Sequence, residues 1–134
     1  MDASDSRTVK LTTEQDVVSA RQAVRQLCQE LGFSLVEQTK TVTAASELAR
    51  NTVTHGGGGE MRLQVVRNGT RRGVRLTFED RGPGMPDIEK AMSDGWSSGD
   101  GLGMGLSGAR RLVNEFEIES QPGEGTRVSI ARWK

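Results

Sequence analysis

Two polar residues of one predicted helix have side chains that could take part in catalysis. Glu47 and Asn51 are four positions apart, so on a helix they lie on the same face, one turn from each other. A carboxylate can act as a base, and an amide oxygen is a suitable ligand for Mg²⁺. A solvated helix face is the alternative interpretation of this polar stripe. We interpret His55, shortly after, as a helix-end residue, which the negative end of the helix dipole favours.

An acidic residue, Asp80, follows an apolar alternation. Val74, Leu76 and Phe78 alternate with polar residues, and a strand would turn all three and Asp80 toward one face. A carboxylate there is costly unless a donor pairs with it. The sequence offers no obvious N–H donor, but the amino group of a nucleotide base could serve. A plain turn is the alternative, because Asp-x-Gly-Pro-Gly is a common turn composition, although the strand register argues against a fully exposed one.

Glycines crowd the segment 97–112, "SSGDGLGMGLSGARRL". It contains Gly103-x-Gly105-x-x-Gly108, which has the glycine spacing of the dinucleotide-binding fingerprint. That fingerprint also requires a preceding strand and a surrounding βαβ unit, which the sequence does not predict here. The Gly-Lys-Ser/Thr of a Walker A loop does not occur. We interpret the segment as a mobile glycine-rich loop that leads into a helix N-terminus, where backbone N–H groups bind anions. A flexible linker is the alternative, but apolar residues between the glycines are not typical of linkers.

These candidates lie on or between predicted helices and strands. In order, the chain is expected to form a strand at Thr8–Leu11, a helix from the N-cap Thr13 to Gly32, a helix at Leu35–Thr54, strands around Met61–Val65 and Val74–Phe78 with a hairpin turn at Asn68-Gly69, a weakly structured stretch at 82–103 with a short helix at 87–92, a helix around Leu106–Val113, and strands at Phe116–Ser120 and Thr126–Trp133. This order favours an α/β sandwich of two layers (α+β), with a mixed, mainly antiparallel sheet and helices on one face.

The bulk composition limits the classes of function. A chain of 134 residues fits one domain, which we place at 8–134 after a disordered N-terminus at 1–7. Its 18 basic and 18 acidic residues cancel, so no net charge attracts nucleic acid or an anionic membrane. The one cysteine, Cys28, cannot form a disulfide within the chain. The absence of a signal peptide and of an apolar run near ~18 residues predicts a soluble cytoplasmic protein.

The order and spacing of the motifs are more specific than any one of them. Glu47-x-x-x-Asn51, Asp80-x-Gly82-x-Gly84, Gly101-Leu-Gly103-Met-Gly105-Leu and Gly125-Thr126 follow one another along the chain. This series resembles the Bergerat ATP-binding fold of the GHKL superfamily, over about residues 8–133. Within that superfamily, "SELARN" at 46–51 and "GLGMGLSGARRLVNEFEIESQPGEGT" look most like the anti-sigma-factor serine kinases, in particular switch kinases of the RsbT type.

The resemblance implies a role for each matching residue. Asn51 resembles the Mg²⁺ ligand and Glu47 the general base that polarises the attacking hydroxyl. The nucleotide-binding residues it implies are Asp80 for the adenine amino group, Gly82 and Gly84 beside the base, Gly101, Gly103 and Gly105 at the phosphates, and Thr126 in the adenine network. No lysine matches a contact to the terminal phosphate, so Arg50, Arg81 and Arg110 are candidates on charge alone. The segment 93–105 is expected to act as a lid.

The resemblance also implies an activity and its partners. We expect an ATP- and Mg²⁺-dependent serine/threonine protein kinase that phosphorylates a STAS-domain scaffold or antagonist protein, in partner switching that regulates bacterial stress or sigma-factor signalling. A PP2C-type phosphatase is a further expected partner, as a target that the kinase activates. No nucleic acid and no membrane are expected as partners. The alternative is a binding module with little catalysis, either a nucleotide-dependent anti-sigma factor or a phosphatase activator.

Overall fold

The computed structural model describes residues 6–84 and 102–134, with side chains throughout except at 102–105. The strands are β1 (Ser6–Leu11), β2 (Gly59–Asn68), β3 (Arg71–Asp80), β4 (Glu115–Gln121) and β5 (Gly125–Trp133), and the helices are α1 (Glu14–Glu30), α2 (Leu35–Thr54) and α3 (Leu102–Arg111). None of the helices in these ranges combines the length and apolar character needed to cross a membrane.

The five strands form one sheet in the order β1-β2-β3-β5-β4. Every pairing between these strands is antiparallel. Alternate strand residues, such as Leu63 and Leu76, are buried in one cluster with the apolar faces of the helices, including Val24 and Leu48. The expected two-layer sandwich is therefore confirmed, with a sheet that is wholly antiparallel in the described residues.

The sheet register arranges the core side chains in rows that cross the strands. Phe78 pairs with Met61 of β2 and with Val128 of β5, and Val128 pairs with Ile118 of β4. Two residues further along β3, the next row is polar, since Asp80 pairs with Thr126 and Thr126 with Ser120. Residues two apart on a strand share a face, so this polar row continues the core face at one end of the sheet.

Both long helices begin with a capping box. Thr13 and Asp16 exchange side-chain-to-backbone hydrogen bonds at the start of α1, and Ser34 and Glu37 do so at the start of α2. The predicted N-cap at Thr13 is confirmed. The backbone N–H groups of Thr12 and Ser34 are the largest causes that lower the pKa of Asp16 and of Glu37, respectively. Caps of this kind fix where a helix starts.

Most predicted elements are confirmed, although the strands and the last helix begin earlier than expected. The helix at Leu35–Thr54 and the hairpin turn at Gly69, with φ 64°, agree with the prediction. Strand β1 begins at Ser6 rather than Thr8, because Ser6 and Arg7 pair with β2. Helix α3 begins at Leu102, earlier than expected. The short helix expected at 87–92 lies outside the described residues.

Candidate functional site

A cleft opens between α2, α3 and the polar end of the sheet. The residues that line it include Asn51 and Thr52 from α2, Leu106 from α3, Phe78 and Asp80 from β3, and Thr126 from β5. The empty space in the cleft, including solvent at its open mouth, is about 420 Å³. Apolar walls with a few polar groups at one end suit a flat, partly polar ligand.

Asp80 lies half-buried at the polar end of this cleft. Its Oδ1 accepts the backbone N–H of Gly82 at 2.9 Å and that of Thr126 at 3.2 Å. The sequence offered no obvious donor for this carboxylate, but the turn after β3 and the start of β5 each supply one. The described residues donate no hydrogen bond to Oδ2, so one acceptor oxygen of Asp80 is available to a ligand.

Glycines let three backbone segments meet around Asp80. A Cβ added to Gly56, just after α2, would collide with the Asp80 carboxylate, and one added to Gly82 would lie 2.7 Å from the Gly56 carbonyl oxygen. Gly84 has φ 74°, and a Cβ there would collide with the Gln121 carbonyl group. Gly82 and Gly84 thus have a packing role besides the base contact that the sequence suggested, and of the two only Gly84 lines the cleft.

The contact between Gly56 and Asp80 leads to a prediction about stability. We expect Gly56→Ala to lower the free energy of unfolding by about 1–3 kcal/mol, the usual cost of forcing a methyl group into a packed site. Urea denaturation monitored by circular dichroism measures this change. Gly108→Ala is the matched control, because a Cβ there meets nothing within 4 Å and alanine favours helices. Equal stability of the Gly56→Ala variant and the wild type would contradict the packing role.

Asn51 lies on α2 with its amide facing the cleft. Its Nδ2 is buried and has no hydrogen-bond partner among residues 6–84 and 102–134. The two ends of an amide exchange places when the group rotates by about 180°, so Oδ1 can occupy this position instead. An unsatisfied buried amide beside a ligand cleft fits a residue that binds something absent from the free chain. Among the described residues, no group of three His, Cys, Asp or Glu side chains could hold a metal.

Glu47 lies one turn before Asn51 on α2, and it does not line the cleft itself. Its Oε1 is 3.6 Å from Arg50 Nη1, with side-chain exposures of 40% and 46% for Glu47 and Arg50. An ion pair that exposed contributes little to stability. The carboxylate is therefore accessible to a second molecule that approaches the cleft, as a base for an external hydroxyl must be.

The glycine-rich segment enters the structure as the first turn of α3. Gly103 and Gly105 lie within this helix, and not in a loop before it as the sequence suggested, whereas Gly101 and most of the expected lid at 93–105 lie outside the described residues. The first four N–H groups of a helix have no intrahelical partner, so this turn can bind an anion. Arg110, one candidate for a phosphate contact, lies in the last turn of α3, at the opposite end from the glycines.

The sequence analysis missed three residues near the site. Gly56 has no side chain, which leaves room for the Asp80 carboxylate. Thr52 lines the cleft, and its hydroxyl donates to the Leu48 carbonyl oxygen at 2.9 Å. The Ser120 hydroxyl lies 2.8 Å from the Thr126 hydroxyl. The register of the last hairpin carries the signal for Ser120, since pairing outward from its turn sets Ser120 opposite Thr126.

Comparisons with known proteins show which family the chain resembles. Residues 36–134 match the family described as "Histidine kinase-, DNA gyrase B-, and HSP90-like ATPase". The chain is 44% identical over 130 residues to the serine/threonine-protein kinase RsbT of Bacillus subtilis (strain 168), which covers 97% of this chain and 98% of that protein. It is 30% identical over 128 residues to the anti-sigma F factor of Thermoanaerobacter sp. (strain X514), covering 92% of this chain and 89% of that protein.

A solved structure has the same fold. The crystal structure of the RsbU and RsbW domains of Rv1364c from Mycobacterium tuberculosis aligns with a TM-score of 0.67 at 22% identity, over 96% of this chain and 33% of that chain. The family match spans most of the chain, and the similarity to the kinase spans nearly all of it. The chain therefore belongs to the histidine kinase-, DNA gyrase B- and HSP90-like ATPase family, in the branch of serine/threonine-protein kinases that includes RsbT.

Proposed function

We propose that the cleft binds ATP with Mg²⁺ and that the chain transfers the terminal phosphate to a serine or threonine of a partner protein. The observation that carries this proposal is the arrangement along one cleft: the polar pair Asp80 and Thr126 at one end, the unsatisfied amide of Asn51 on α2, and the accessible Glu47 one turn away. Each part matches one need of phosphoryl transfer from a nucleotide.

The polar end of the cleft suits the adenine base. Asp80 Oδ2 can accept from the amino group of adenine, while Oδ1 is already held by two backbone N–H groups. Phe78, Leu106 and Val128 offer apolar contacts for the ring faces. The phosphates would then extend toward the first turn of α3, which contains Gly103 and Gly105 and whose backbone N–H groups have no intrahelical partner. Gly101 belongs to the same proposed phosphate segment.

Asn51 is the residue that fits Mg²⁺. Magnesium prefers oxygen ligands and is commonly bound by one or two protein groups together with substrate phosphates, so a single amide oxygen suffices. When bound, the ion neutralises charge on the phosphates. The chain's own contribution is to hold the Asn51 amide at the cleft wall on a rigid helix, between the Asp80 end and the accessible Glu47.

Glu47 would act on the incoming hydroxyl. The serine or threonine oxygen of the partner forms a bond to the terminal phosphorus of ATP as the bond from that phosphorus to the bridging oxygen breaks. ADP leaves, and the hydroxyl proton passes to the Glu47 carboxylate. Such transfer depends mainly on positioning, and α2 sets the spacing between Glu47 and Asn51.

The proposed protein partners are a STAS-domain scaffold or antagonist as substrate and a PP2C-type phosphatase as a target that the kinase activates. The similarity to RsbT and to anti-sigma F factors, whose names describe a kinase and a sigma-factor regulator, supports this partner-switching role. Transfer of label from ATP to candidate partners, with mapping of the modified residue, tests it. The second candidate, a binding module with little catalysis, is favoured by the anti-sigma F similarity; it predicts nucleotide-dependent binding without transfer.

The role of Asn51 leads to a separate prediction. We expect Asn51→Ala to weaken ATP binding in the presence of Mg²⁺ by about 5- to 150-fold, which corresponds to a lost interaction of about 1–3 kcal/mol. Binding in EDTA should change much less. Isothermal titration calorimetry under both conditions measures the difference. Thr39→Ala, at an exposed position in the first half of the same helix, is the control. Equal losses with and without Mg²⁺ would mean that the variant damages the cleft itself.

A further inference from the structure

Two hydroxyl groups meet at the polar end of the sheet. Ser120 Oγ lies 2.8 Å from Thr126 Oγ1 and donates to the Gly125 carbonyl oxygen at 3.1 Å. Ser120 of β4 pairs directly with Thr126 of β5, so the two side chains stand on the same face of the sheet. Thr126 lines the cleft beside Asp80, whereas Ser120 does not. Ser120 thus contacts a residue of the cleft wall, Thr126, without lining the cleft itself.

The number of protons decides the direction of the hydrogen bond between the hydroxyls. A carbonyl oxygen only accepts, and a hydroxyl has one proton to donate. When Ser120 gives its proton to Gly125, the bond between the hydroxyls is made only if Thr126 donates to Ser120. The arrangement that makes both bonds thus commits the Thr126 proton away from the cleft, and leaves Thr126 Oγ1 to face a ligand as an acceptor.

We propose that Ser120 is a positioning residue that holds the Thr126 hydroxyl as an acceptor and thereby favours a 6-amino purine over a 6-oxo purine. This inference rests on the proposed function, because it concerns the base of the nucleotide in the same cleft. With Ser120 in place, Asp80 Oδ2 and Thr126 Oγ1 both present acceptors. An amino group has two protons to donate, whereas a 6-oxo group donates none.

Removal of the Ser120 hydroxyl should reduce the preference for a 6-amino purine over a 6-oxo purine. In Ser120→Ala, Thr126 has no hydroxyl acceptor beside it, so its proton is free to turn into the cleft and to donate to a 6-oxo group. We expect ATP affinity to fall by about two- to tenfold, the range for one neutral hydrogen bond, while ITP affinity is unchanged or rises. The ratio of ATP to ITP affinity therefore falls, which a merely structural role of Ser120 would not cause, since damage to the fold weakens both nucleotides alike.

Variants at both hydroxyls test whether Ser120 acts through Thr126. Calorimetry gives ATP and ITP affinities for the wild type, Ser120→Ala, Thr126→Val and the double variant. We expect Ser120→Ala to lower the ratio of ATP to ITP affinity when Thr126 is present and to leave it unchanged in the Thr126→Val background. Ser120→Thr keeps a hydroxyl, so its ratio should equal that of the wild type. If Ser120→Ala does not fold, Ser120→Cys is the substitute, because cysteine has the same shape as serine with a slightly larger atom that is only a weak acceptor. It should also lower the ratio of ATP to ITP affinity.

The outcomes separate this inference from the proposed function. Ser129→Ala is the matched control, because Ser129 lies on β5 an odd number of residues from Thr126 and so on the opposite face of the sheet. If the wild type binds ITP and ATP with equal affinity, the base assignment of the proposed function is wrong. If the wild type prefers ATP and neither Ser120→Ala nor Ser120→Cys changes the preference, or the effect persists without the Thr126 hydroxyl, the inference about Ser120 alone is overturned.

Discussion

Replacement of Glu47 by glutamine is expected to slow phosphate transfer to the protein substrate by about 10²–10⁴-fold, the usual contribution of general-base assistance. Glutamine is nearly isosteric with glutamate but does not take up the proton of the incoming hydroxyl. Glu47 lies outside the lining of the cleft and is 40% exposed, so ATP binding and the fold should change little. The expected signature is therefore a loss of rate at nearly unchanged nucleotide affinity.

Single-turnover transfer of label from ATP to a verified partner measures this rate, and calorimetry measures nucleotide affinity on the same preparations. Glu115→Gln is the matched control, because Glu115 also forms an exposed ion pair, at 3.5 Å from Arg75 with an exposure of 46%, but lies on edge strand β4. A wild-type rate in Glu47→Gln would assign the base elsewhere. A wild type that binds its partner with ATP but transfers nothing would favour the binding module.

The parts of the fold that depend on local signals were predictable from the sequence. Helix α2 was predicted over its full length, Leu35–Thr54, because a regular apolar stripe runs along it and glycines follow directly after it. The hairpin between β2 and β3 was predicted from Asn68-Gly69, where glycine tolerates the left-handed backbone that the turn requires. The spacing of Glu47 and Asn51 is likewise a property of one helix, so their placement one turn apart on the same helix was predicted without a structure.

The parts that depend on distant contacts were not predictable in the same way. The two N–H groups that hold Asp80 come from the turn at Gly82 and from Thr126, 46 residues away in sequence. The space for the carboxylate depends on Gly56 at the end of another element. Helix α3 begins earlier than expected because glycines argue locally against a helix, and packing of the buried Leu106 and Ala109 against the core outweighs that preference.

The hydrogen bonds of Asp80 change what substitution by asparagine should do. On sequence alone, an asparagine at this position could still accept from a base amino group through its amide oxygen. In the structure, however, Oδ1 accepts from Gly82 and Thr126, and the amide oxygen of asparagine has to occupy that position to keep both backbone donors satisfied. The amide nitrogen then takes the place of Oδ2 and presents a donor to the cleft.

We therefore expect Asp80→Asn to weaken ATP binding more than Asp80→Ala does. In the asparagine variant a donor faces the donor of the adenine amino group, which leaves two polar groups unpaired at about 1–3 kcal/mol each, so affinity should fall by at least about tenfold. Alanine leaves one of these unpaired, although it also releases the two backbone N–H groups. Calorimetry with ATP and ITP measures the order, and the ratio of ATP to ITP affinity should be lowest in Asp80→Asn, because its amide can donate to a 6-oxo group. If Asp80→Asn keeps wild-type ATP affinity, the amide oxygen faces the base, and the backbone donors do not fix the orientation of this side chain.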